Sequence, residues 1–86
     1  MDALEILYKV FALSYVAERE AYRNVQRWET LAAAQGKPEP QYATDSVYAS
    51  LIDEWDEAHK ELKKFERELL KEYRKQRAAG TFTVMA

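Results

Sequence analysis

The side chains with the widest chemical range stand close together. Asp56-Glu57-Ala58-His59 places a carboxylate and the only histidine of the chain at i and i+3. A carboxylate-x-x-His pair contributed by facing helices is how some helical bundles hold two metal ions in their interior. Glu18 would join that pair if the chain folds back on itself, so Glu18, Asp56 and His59 are the candidate ligands for a metal-binding helical bundle. The bundles, however, use Glu where this chain has Asp56, and they add a second carboxylate to each half-site. Asp56 also falls on the outward side of its helix. A structural role accounts for the same residues: Glu18, hydrogen-bonded to His59 or a tyrosine at a helix seam, satisfies a buried polar group and holds the register. The expectation is a seam contact and no bound cofactor.

The letters DEAH also spell a nucleotide-hydrolysis motif, but that chemistry needs a glycine-bearing phosphate loop with a Lys-Ser/Thr pair. The chain has two glycines, at positions 36 and 80, and neither lies in such a loop. One histidine without a neighbouring Ser or Cys nucleophile makes no catalytic arrangement. No enzyme activity is expected.

Basic residues form the other chemical pattern. Lys60, Lys64, Arg67, Lys71 and Arg74 recur at helical spacing on one outer face, with Lys63 and Lys75 beside them. Such a stripe can follow a phosphate backbone, which makes a nucleic-acid-binding helical hairpin the alternative reading. Glu61, Glu66, Glu68 and Glu72 border the stripe, and mixed charge on a helix is more often a solvated face with local ion pairs. A net charge of −2 gives no bulk reason for nucleic acid to be the partner.

Two long amphipathic elements must position these groups. Written as heptads from Tyr48, the a sites are Tyr48, Trp55, Leu62 and Leu69, and the d sites are Leu51, Ala58, Phe65 and Glu72. That is the apolar seam of a helix seeking a partner helix. Residues 2 to about 35 carry a matching stripe through Leu4, Leu7, Phe11, Glu18, Tyr22, Val25 and Ala32. Between them, QGKPEPQYAT supplies Gly36 for a helix C-cap and two prolines that no helix interior tolerates. Thr44 or Asp45 then caps the second helix, expected over about 46–79. Each helix carries acid near its start and base near its end. The helices therefore fold back antiparallel, with residue i near 80 − i and with Arg23 and Arg27 opposite the cluster Asp53, Glu54, Asp56 and Glu57.

The expected architecture is thus all-α: a single antiparallel two-helix hairpin over residues 1–86, dimerising into a four-helix bundle or coiled coil. A chain of 86 residues has a marginal monomeric core. The first half of the first helix is also apolar beyond its seam, with Ile6, Val10, Leu13 and Ala17 forming a second stripe. The uncharged tail 80–86, with Phe82 and Val84, could add an extended contact. These six residues are the candidate partner interface. The expected function is a non-enzymatic protein–protein interaction module, an adaptor, structural component or inhibitor, acting as a homodimer or on another protein. The absence of cysteine suggests a reducing, cytoplasmic setting. Residues 3–17 carry Glu5 and Lys9 and are too short to span a bilayer, so no membrane is expected.

Overall fold

The structure, a computed structural model, describes residues 2–80. It consists of two helices, α1 over Ala3–Ala34 and α2 over Ser46–Ala78. Neither contains Gly or Pro, and both are rich in Ala, Leu, Glu, Lys and Arg, the residues that lose least on entering a helix. At about 1.5 Å per residue each is roughly 50 Å long. No strand occurs among the described residues.

The ends are closed by local chemistry. Asp2 caps α1, accepting a hydrogen bond from the Leu4 amide at 3.4 Å. At the other end Gly36 takes φ +69°, its amide reaches the Ala33 carbonyl, and the Lys37 amide reaches the Ala32 carbonyl at 2.9 Å. This is a Schellman closure, whose left-handed residue is ordinarily glycine. Of the two expected caps for α2, Asp45 is the one used. Its carboxylate accepts from the Tyr48 amide at 3.0 Å, and this hydrogen bond is the main reason its carboxyl lies below the usual range. The other oxygen accepts from Trp28 Nε1 at 2.8 Å, so the cap of α2 also ties down the end of α1. Tyr42 donates to Asp53 at 2.8 Å and pins the loop to α2.

The helices pack against each other along the expected seams, and the contacts run antiparallel. Asp2 meets Gln76, Glu18 meets Trp55, and Glu29 meets Tyr48. The register is a few residues short of the 80 − i expected from loop length. Every a and d site of α2 from Tyr48 to Glu72 is buried or half-buried. Yet among the described residues only Val25, Ala32 and Leu62 are buried apolar residues, and no large side chain is wholly enclosed. Two helices share one line of contact, so most seam residues keep one side open.

The charge pairing between helices differs from expectation. Arg23 and Arg27 lie on the exposed back of α1 and make no ion pair with the acidic cluster of α2 among the described residues. The cluster is used locally instead: Lys60 binds Asp56 at 2.9 Å and Glu57 at 3.8 Å. Only one end of each gradient meets its own helix dipole: Glu5 lies in the first turn of α1 and Lys75 and Arg77 in the last turn of α2, whereas the last turn of α1 has no base and the first turn of α2 no acid. Cross-helix polar contacts come from Trp, Tyr and Gln, whose long side chains reach the seam. No described helix is long and apolar enough to cross a membrane.

Candidate functional site

Two features stand out: a polar knot in the seam and an apolar face on the back of α1. The knot is centred on Glu18, whose side chain is only 3% exposed. One of its oxygens accepts from Trp55 Nε1 at 2.9 Å, and both engage the guanidinium of Arg19. Arg19 lies 4.9 Å above the ring of Tyr22, and Tyr22 packs on Trp55 with ring centres 5.0 Å apart. His59 Nδ1 stands 4.0 Å from the same carboxylate. Glu18, Arg19, Tyr22 and Trp55 therefore form a closed circuit in which each group holds the next.

The circuit sets the charge of Glu18. Hydrogen bonds from Arg19 hold its carboxyl at about 2, against an ordinary 4.5. The Trp55 bond and the charges of Arg19 and His59 act in the same direction, and burial opposes them. Glu18 is consequently an anion throughout the neutral range, with both oxygens engaged. The group can anchor and orient, but it has no proton to give at neutral pH. The sequence placed a polar contact here and named His59 or a tyrosine as its partner. The indole of Trp55 and the adjacent Arg19 are the donors instead. Trp55 at the centre of the α2 seam and Arg19 next in sequence were visible as neighbours, but their side-chain directions were not.

Asp56 points to solvent and is paired with Lys60, so Glu18, Asp56 and His59 do not converge. Among the described residues no group of three or more His, Cys, Asp or Glu side chains gathers at one point. The basic stripe runs along the exposed back of α2. Lys60 is held by Asp56, which raises its pKa, and Lys64 lies over the ring of Phe65 at 5.7 Å. Arg67, Lys71 and Arg74 are exposed. The stripe is a convex ridge along a single helix.

The back of α1 is apolar in its first half. Leu13 is 72% exposed, Val16 56% and Ile6 45%, with Ala12 and Ala17 exposed between them. Leu7, Phe11 and Ser14 occupy the seam side, and the helical period turns Leu13 and Val16 almost directly away from α2. Of the four residues expected on this second stripe, Ile6, Leu13 and Ala17 are exposed and Val10 is half-buried at its edge. Val16 belongs to the same face and was missed. It is separated from Leu13 by i+3, the spacing that would have found it. Phe82 and Val84 lie outside the described residues.

A cavity of about 270 Å³ lies beneath the loop, between Trp28, Ala32, Pro38, Pro40 and Asp45. It contains the Trp28–Asp45 hydrogen bond and is part of the hairpin closure. No protein-family model, curated protein or solved structure matches this chain.

Proposed function

We propose that the chain is a non-enzymatic protein–protein interaction module, a small adaptor, structural or inhibitory protein working through the outer face of α1. One observation carries this reading. The hairpin uses its two seams on itself, yet Leu13 and Val16 remain exposed one turn apart, with Ile6 exposed two turns before Leu13. Contiguous exposed apolar side chains of this kind mark interaction surfaces, whereas isolated ones do not. The shallow core supports the same reading: a hairpin that encloses no large side chain among the described residues gains stability when a second surface covers it. Glu18 fits a supporting role, since a buried charged knot fixes how the two helices meet and hence how the outer face is presented.

The test compares the wild-type chain with Leu13→Glu by native mass spectrometry and cross-linking after purification from cells that express it. The wild type is expected in a stoichiometric assembly with itself or one other protein. Leu13→Glu is expected to lose that assembly while its circular dichroism stays helical. Two variants that both migrate as lone monomers in every preparation would overturn the reading. A second reading, nucleic-acid binding through Lys60, Lys64, Arg67, Lys71 and Arg74, has one observation in its favour. Arg67, Lys71 and Arg74 are exposed and have no acidic partner among the described residues.

A further inference from the structure

The outer face of α1 carries more than apolar residues, and their order suggests what covers it. Along the side turned away from α2, the exposed residues run Lys9, Leu13, Val16, Glu20 and Arg27, with Ala12 and Ala17 beside the central pair. From Lys9 to Glu20 the signs read base, apolar, apolar, acid. Reversing the direction of the helix turns this into its own complement. With residue i of one copy opposite residue 29 − i of another, Leu13 meets Val16, Ala12 meets Ala17 and Lys9 meets Glu20. Each contact occurs twice, as a two-fold interface requires. A parallel, in-register pairing would instead set every charge against its own kind.

From this complementarity we infer that the outer face of α1 docks on the same face of a second copy, antiparallel and centred between Leu13 and Val16. The inference rests on the interaction-module reading and names its partner. Four apolar residues from each copy form the middle of the contact, where Ala12 and Ala17 let the helices approach closely. Glu20 makes no ion pair within the hairpin among the described residues, so it is available to a partner. Lys9 already reaches Glu5 at 3.7 Å, but both side chains of that pair are more than half exposed, and docking can redirect it. The result is a four-helix arrangement with the two α1 helices inside, both α2 helices outside and the basic stripes facing solvent. A hetero-partner would have to supply the reversed pattern that this chain already contains.

The experiment uses sedimentation equilibrium on the full chain, from about 1 µM to about 1 mM. The wild type is expected to shift from monomer to dimer. Lys9→Glu leaves acids at both 9 and 20, and Glu20→Lys leaves bases at both. Each variant alone should dimerise about tenfold more weakly or worse, since two favourable pairs become repulsive. An equimolar mixture of the two should recover the wild-type affinity to within about threefold, as a heterodimer. Orientation is read separately in this cysteine-free chain: Lys9→Cys mixed with Glu20→Cys should cross-link across chains, and neither should cross-link with itself. A wild type that remains monomeric to about 1 mM overturns the inference and leaves the module reading to a different protein partner. A mixture no better than its components, or self-cross-linking of Lys9→Cys alone, overturns the antiparallel register.

Discussion

Glu18→Gln isolates the charge of the buried knot. Glutamine is nearly isosteric and keeps an oxygen for Trp55 Nε1, but it cannot pair with Arg19 as an anion. The carboxyl of Glu18 stands at about 2 in the folded hairpin, against an ordinary 4.5. Because the folded value is the lower one, the carboxylate stabilises the hairpin fully above about 4.5. That contribution is lost as pH falls toward about 2. A displacement of this size corresponds to about 3 kcal/mol. Two effects reduce it. Arg19 is 41% exposed, so solvent screens the pair. Arg19 is also the next residue in the chain, so part of the attraction survives unfolding. The expected cost of Glu18→Gln at pH 7 is therefore about 1–2 kcal/mol. Urea unfolding followed by circular dichroism from pH 2 to pH 7 measures it. The two stability curves should be separated by a near-constant gap above pH 5 and converge as the pH approaches 2. Other carboxylates titrate in both proteins and cancel in the difference. A gap that does not close on acidification, or none at pH 7, would refute the assignment of Glu18 as the charged anchor of the seam.

Further outcomes test the packing and the faces. Leu62→Ala removes the one buried apolar side chain of α2 and should cost about 2–4 kcal/mol in the same urea assay, at the lower end if the open seam collapses. Trp28→Phe leaves Asp45 without its indole partner and should cost about 1 kcal/mol, with little change in helix content by circular dichroism. Gly36→Ala meets no steric neighbour, but it forces a side chain into φ +69° and should lower stability by about 1 kcal/mol, read by thermal melting. Replacing Arg67, Lys71 and Arg74 together with glutamine should leave helicity and assembly unchanged. A mobility shift with short duplex DNA at low salt, present in the wild type and lost in this variant, would instead favour the nucleic-acid reading.

The period of the apolar residues determined most of the fold. Heptad spacing from Tyr48 to Glu72, the glycine and prolines of 36–40 and the carboxylate at Asp45 are all local signals. The helices they imply, 2–35 and 46–79, match α1 and α2 to within one residue at each end. Glu18 in an apolar stripe likewise marked a seam contact, because a charge at such a position must find partners. Its partners were decided only by tertiary structure. Whether Glu18 meets a histidine, a tyrosine or an indole depends on a register offset of a few residues, and on where Arg19 swings once Tyr22 packs on Trp55. The face of α1 that packs on α2 leaves Arg23 and Arg27 on the back, away from the acids of α2. It also leaves Leu13 and Val16 uncovered between Lys9 and Glu20. Sequence period tells which residues share a helix face. Which of those faces meet depends on side-chain reach across the gap, and only the packed pair of helices fixes that.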